Sequence, residues 1–218
     1  MSAREPSPAP LTLRVARVTD AVDALLAVIL AEPATPQSRR TPLSGPVVLI
    51  DGRSGSGKTD LADALAAAWP GAVTLIHLDD IYPGWSGLEA ASRHVHDFLL
   101  AAGGQPGVAS DAAPGAVQSP RWRRHDWSTG RAAEWVVVDP ALPLIVEGSG
   151  SLSRQNAACA TVTVWLELDE QTRRRRALAR DGEAYEPFWD MWAEQELEFI
   201  TRENPRGHAR VVVDLTLG

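Results

Sequence analysis

Short apolar runs alternating with amphipathic segments predict an α/β protein, with a mostly parallel sheet covered by helices on both faces. Three observations carry that prediction. Runs such as PVVLID at 46–51 and RVVVDL at 210–215 are almost continuously apolar, as strands buried on two faces are. The segments between such runs repeat their apolar residues at helical spacing. The chain has 218 residues, 44% hydrophobic and 22% charged, which suits one compact core rather than a disordered or fibrous chain.

The elements follow in order. Residues 1–10, rich in Pro and Ser, read as a frayed tail. Thr19 or Asp20 caps a helix running to about Glu32, with Val22, Leu25, Leu26 and Ile29 on one face. Pro33, Pro36 and Pro42 mark a connection. Residues 1–45 are thus a tail, helix and connection preceding a main domain at 46–218. That domain opens with the strand at 46–51 and a helix at 58–69, ended by Pro70-Gly71. A strand at 72–78 and a helix at 88–100 come next. Residues 101–118, rich in Gly, Ala and Pro, read as a mobile loop. Strands at 135–138, 144–146 and 161–168, helices at 170–180 and 186–202, and the strand at 210–215 complete the chain. No internal repeat is visible.

Composition narrows the function. The net charge is −7, whereas polyanion binders carry a basic surface, so nucleic acid is not the expected partner. The apolar run at 24–31 follows Asp20 and Asp23 and is too short for a membrane span or signal peptide. Cys159 is the only cysteine, which excludes an intramolecular disulfide and a Cys-based zinc site and points to a reduced, cytoplasmic setting.

The 21 basic residues include a single lysine, Lys58. It sits in Gly52-Arg53-Ser54-Gly55-Ser56-Gly57-Lys58-Thr59, a full match to G-x-x-x-x-G-K-[ST] between a predicted strand and a predicted helix. Glycines there let the backbone curl its N–H groups inward, around phosphate oxygens. The helix N-terminus adds partial positive charge. The lysine reaches the β- and γ-phosphates, and the Thr59 hydroxyl is placed for Mg²⁺. The motif therefore predicts a P-loop NTPase fold, α/β/α in three layers, that binds a nucleotide with Mg²⁺.

Other residues narrow the class. With Lys58 in the loop, no lysine remains for the Asn-Lys-x-Asp segment of guanine-specific GTPases. Asp169-Glu170 resembles the strand end of motor ATPases, but acids also favour the first turn of the next helix. Asp79 and Asp80 follow the 72–78 strand, where parallel sheets bind ligands. A carboxylate there accepts a hydroxyl proton or helps hold Mg²⁺. A plain turn before Pro83-Gly84 accounts for the same residues.

At these residues the sequence resembles the uridine kinase family of P-loop kinases. Asp79-Asp80-Ile81-Tyr82 stands where that family has D-x-F-Y, and the resemblance implies Asp79 as catalytic base and Tyr82 as a pocket wall. Leu144-Ile145-Val146-Glu147-Gly148 resembles its strand ending in Glu-Gly, which implies Glu147 as a metal or water ligand. The arginine-rich run 172–181 resembles its small helical lid. Arg173, Arg176 and Arg180 fall on one helical face, and fixed guanidinium groups suit the charge of a transferring phosphoryl group. Arg174 and Arg175 belong to the solvated face.

Two segments depart from that family. Gly182-Glu183-Ala184-Tyr185 replaces its glycine-arginine segment, and His125-Asp126-Trp127 replaces its Y-D-F. Both bear on the acceptor, so uridine or cytidine does not follow. Residues 121–127 interleave Arg and Trp. Arg124, His125 and Trp127 are acceptor candidates by stacking and forked hydrogen bonding; an amphipathic strand packing its Trp is the other reading. Trp189, Trp192 and Phe199 recur at core spacing, with Gln195 a further pocket candidate. His77 reads as a packed core residue, and His94 and His96 have no ligand role.

The expectation is an ATP-dependent kinase acting on a hydroxyl of a small metabolite, a nucleoside among the candidates. Lys58, Asp79, Arg176 and Arg180 would be catalytic, Thr59 and Glu147 would hold metal, and Asp80 and Tyr82 would touch substrate. A nucleoside monophosphate kinase is favoured instead if residues 121–124 face the pocket. A nucleotide-binding regulator without turnover is the alternative from another class.

Overall fold

The computed structural model describes residues 9–32, 41–101, 119–182 and 185–216. Most of the expected tail, the connection at 33–40, the loop at 102–118 and residues 183–184 lie outside the described residues.

Six parallel strands form the main sheet, in the order β1 (Leu11–Arg14), β8 (Val211–Asp214), β7 (Val162–Glu167), β2 (Val47–Gly52), β6 (Leu144–Glu147) and β3 (Thr74–His77). β2 lies inside the sheet with every residue buried. Alternate side chains of a strand point to opposite faces, and β2 accordingly feeds two cores. Val48 and Ile50 pack with α1 (Val22–Ala31) and α2 (Lys58–Ala68) on one face. Val47 and Leu49 pack with α3 (Leu88–His94) and α6 (Trp189–Glu203) on the other. This is the predicted three-layer α/β/α arrangement.

Several elements differ from expectation. β1 was not anticipated. It is a four-residue edge strand with one half-buried side chain, Leu13, so it lacks an apolar run. It nevertheless pairs with β8, Leu11 opposite Val211, and α1 joins the core beneath α2. The 88–100 helix is α3 continued by a π-helical stretch, Val95–Leu100. The helix at 186–202 is a 3₁₀ turn, Glu186–Phe188, leading into α6. Two short helices, α4 (Arg154–Ala157) and α7 (Pro205–His208), were also unforeseen.

The strand at 135–138 proves longer and outside the main sheet. β4 (Arg121–Asp126) and β5 (Arg131–Val137) form a separate antiparallel hairpin. Asp126 organises its turn by accepting from the Ser128 N–H and from the Ser128 and Thr129 hydroxyls, which pull its pKa down to about 2. The hairpin docks on α3, where the Arg123 N–H donates to His94 Nε2 at 3.1 Å. The lid helix α5 (Glu170–Asp181) starts at Asp169, whose carboxylate accepts the Thr172 N–H at 2.8 Å.

Candidate active site

The site is built where β2, β6 and β3 end. β2 runs into the loop 52–57, and α2 begins at Lys58. Gly57 caps α2 with φ +97°, and no side-chain hydrogen bond caps the helix, so the backbone N–H groups of its first turn face the cavity beside Asp60. Gly55 has φ +79°, and a Cβ there would lie 2.1 Å from the Arg173 carbonyl oxygen of α5. Only glycine meets both demands. Lys58 is 9% exposed, and its Nζ donates to the Arg53 carbonyl at 3.3 Å, across the mouth of the loop. The Ser56 hydroxyl is buried there without a hydrogen-bond partner.

Asp51, at the end of β2, ties this loop to the one after β6. Its carboxylate accepts the N–H groups of Gly52, Gly150 and Leu152. Burial pushes its pKa up to about 6 against those three bonds.

The register of β3 and β6 sets His77 beside Glu147. Their Nδ1 and Oε1 atoms are 2.8 Å apart, and a carboxylate can only accept, so Nδ1 donates. That bond raises the imidazole above its ordinary value. Glu147 Oε1 also accepts from the Thr59 hydroxyl at 3.3 Å, and His77 Nε2 lies 3.8 Å from Asp63 of α2. The strand residue expected to be core packing therefore belongs to the site.

A single cavity of about 1010 Å³ joins these parts. Ser54, Gly55, Gly57, Lys58 and Thr59 line one region of it, while Gly52 and Ser56 of the same loop do not. Asp79, Asp80, Tyr82 and Glu147 line it too, with Arg176 and Arg180 of α5 and Trp127 of the hairpin turn. Trp127 Nε1 donates to the Asp79 carbonyl at 2.7 Å, which anchors the hairpin to the acidic segment. Tyr82 donates its hydroxyl to the Ser149 carbonyl at 2.8 Å, and burial raises its pKa well above the usual phenol value.

Three candidates do not reach the cavity. Arg124 is paired with Glu134 across the hairpin at 2.7 Å. His125 is buried, edge-on to Trp127. Gln195 donates to the Trp85 carbonyl at 2.9 Å. Arg173, on the helical face of Arg176 and Arg180, is 3% exposed and donates Nη1 to the Ser54 carbonyl and Nε to the Leu168 carbonyl, so it braces the loop rather than lining the cavity. Arg174 lies 6.0 Å from the Trp189 ring.

The sequence reading missed an aromatic wall. Trp85 stacks on Tyr185 and Phe188 with ring centroids 5.3 and 4.6 Å apart, and it meets Trp127 and Trp192. Trp85, Tyr185 and Trp192 all line the cavity. A tryptophan in the turn after Pro83-Gly84 was the available signal. Glu196 was missed too, although a glutamate on the apolar stripe with Trp192 and Phe199 is itself an anomaly.

No protein-family model matches the sequence, and no curated protein matches it significantly. Solved structures do match in fold. One, a protein described as a possible uridine kinase from Bacillus stearothermophilus, aligns over 89% of this chain and 98% of its own, with a TM-score of 0.55 and 20% identity. The chain shares that protein's fold, a parallel α/β/α arrangement. A gluconokinase from Sinorhizobium meliloti 1021 aligns over 81% of this chain and 85% of its own, at 20% identity and a TM-score of 0.41. In this fold the cavity lies at the carboxyl ends of the parallel strands, where open α/β sheets bind ligands. Among the described residues no helix is long and apolar enough to cross a membrane.

The residues present fit a Mg²⁺-bound nucleoside triphosphate. The loop offers an uncapped helix end, a buried hydroxyl and a buried ammonium to an anion. Among the described residues no group of three or more His, Cys, Asp or Glu side chains forms a metal cage. Mg²⁺ does not need one, since it keeps waters and takes one or two protein ligands plus phosphate oxygens. Thr59 and Glu147 are that kind of set.

Proposed function

We propose that the chain is an ATP- and Mg²⁺-dependent phosphotransferase acting on a hydroxyl of a small, unphosphorylated metabolite. One observation carries the reading: the phosphate loop opens into the same cavity as Asp79, Glu147, Arg176, Arg180 and an aromatic wall. Lys58 and the loop bind the phosphates. Thr59 and Glu147 would hold Mg²⁺, which neutralises phosphate charge when bound. His77 orients Glu147 by its hydrogen bond. The acceptor oxygen attacks the γ-phosphorus, the bond to the β–γ bridging oxygen breaks, and Asp79 takes the hydroxyl proton. Arg176 and Arg180 meet the charge on the transferring group from the lid.

The position of the hairpin arginines supports an acceptor without a phosphate of its own. A nucleoside monophosphate would call for the 121–124 segment at the pocket. Arg124 instead pairs with Glu134, and Arg121 and Arg123 lie over Trp135.

The test is an acceptor screen. Full-length protein and Mg·ATP are incubated with pooled nucleosides, nucleotides, sugars and amino alcohols, and new phosphorylated species are sought by mass spectrometry. One product, absent with Lys58→Ala, is expected. Asp79→Asn should keep ATP binding and lose about 10²- to 10⁴-fold in turnover. Full turnover in that variant would remove Asp79 as the base. Tight ATP binding with no product from any pool would favour a nucleotide-binding regulator.

A further inference from the structure

Helix α6 reaches two parts of the site at once. Trp192 lines the cavity, and one turn later Glu196 points at the phosphate loop. Glu196 is 3% exposed. Its carboxylate accepts the Ser54 N–H at 2.6 Å, Arg53 Nε at 3.0 Å and the Ser149 hydroxyl at 3.1 Å. The same Ser54 residue is held at its other backbone group, since its carbonyl accepts Arg173 Nη1 of α5 at 3.1 Å. Gly55, next in the chain, is pressed against the α5 backbone. Side chains from two distant helices therefore fix the Ser54–Gly55 backbone.

This arrangement has an electrostatic cost. A buried carboxylate beside a polyanion site repels the ligand and pays for its own desolvation, unless it is paired and hydrogen-bonded. Glu196 meets both conditions through Arg53 and its two further donors. Loop packing alone needs no charge here; an apolar residue between Trp192 and Phe199 would fill the core. What only an acceptor provides is a grip on the Ser54 N–H. Gly55 is free to take many backbone conformations, so the shape of the loop depends on contacts such as these to hold it.

We infer that Glu196, with Arg53 as its counter-ion, is a positioning residue that holds the phosphate loop in its ligand-ready shape and ties that shape to the acceptor wall. The tie runs along α6, where Trp192 lines the cavity and Gln195 holds the Trp85 carbonyl. The inference rests on the reading of the loop as a nucleotide site.

The experiment measures Mg·ADP affinity by calorimetry on the full chain, well below the melting temperature of each variant. Glu196→Gln retains an oxygen for the Ser54 N–H and should bind Mg·ADP within about threefold of the wild type. Glu196→Leu removes the grip and should bind at least about tenfold more weakly. The double variant Arg53→Met/Glu196→Leu removes the stranded cation. It should recover melting temperature without recovering affinity, and it replaces Glu196→Leu if that protein does not fold. A purely structural role predicts the reverse, a lowered melting temperature with unchanged affinity. Affinity within twofold of wild type in either leucine protein overturns the inference, as does an equal loss in the Gln and Leu variants. If the wild-type chain itself does not bind Mg·ADP, the nucleotide reading falls, and this inference with it.

Discussion

His94 gives the stability of this protein a defined dependence on acid. It sits where α3 meets the hairpin, its Nε2 taking the Arg123 N–H and its ring against Phe98 and Trp135. Burial pushes its pKa down to about 4; Asp97 opposes the shift and Arg123 adds to it. In the unfolded chain an imidazole titrates near ~6.5. Between those values the unfolded chain binds a proton that the folded chain refuses. The contribution is therefore complete above about pH 6.5 and drains as pH falls towards 4. The gap is worth about 3 kcal/mol, and partial exposure trims it to about 2 kcal/mol. Glutamine at this position offers an oxygen to the same N–H and does not titrate. Urea denaturation of wild type and His94→Gln, at intervals from about pH 7.5 to 4.5, isolates the effect from the carboxylates common to both proteins. The wild type should lose about 2 kcal/mol relative to the variant across that range. Parallel pH profiles would refute the argument. The hairpin carries Trp127, so the loss should also appear as a weaker Trp127 contact with Asp79, visible in tryptophan fluorescence.

Two further predictions follow from contacts around the cavity. Gly55→Ala puts a methyl group against the Arg173 carbonyl in a left-handed backbone, a strain of at least about 1–2 kcal/mol; Mg·ADP titration should show affinity down about tenfold or more. Trp127→Ala removes a ring from the acceptor wall and the bond to the Asp79 carbonyl; the acceptor KM should rise about tenfold while Mg·ADP affinity stays unchanged.

What was legible in the sequence was whatever is local in the chain. β2 and β7 lie inside the sheet with both faces covered, so their runs are largely apolar, broken only by Thr163 and by the acids Asp51 and Glu167 near their ends. The phosphate loop is eight consecutive residues whose spacing is set by backbone geometry. The acidic residues after β3 were also visible, because parallel strands deliver their carboxyl ends to one crevice, while the glutamate ending β6 was marked only by the resemblance to the uridine kinase family. What stayed hidden depends on partners far apart. Arg53 and Glu196 are 143 positions apart, and His77 and Glu147 are 70 apart. The hairpin arginines looked suited to a ligand until their actual partners, Glu134 and Trp135, came from the neighbouring strand. Gln195 pointed the right way along its helix but found a backbone carbonyl before it found the cavity.

The pairing of β1 with β8 has a consequence for how the chain is made. Leu11 lies opposite Val211, so the edge strand emerges from the ribosome long before the partner that gives it hydrogen bonds. Until then it is an unpaired strand with exposed N–H and C=O groups, open to wrong neighbours. Its short length and polar, exposed face limit that hazard. Synthesis from one end to the other thus leaves this parallel pair, which closes a long loop, unformed until β8 has been made.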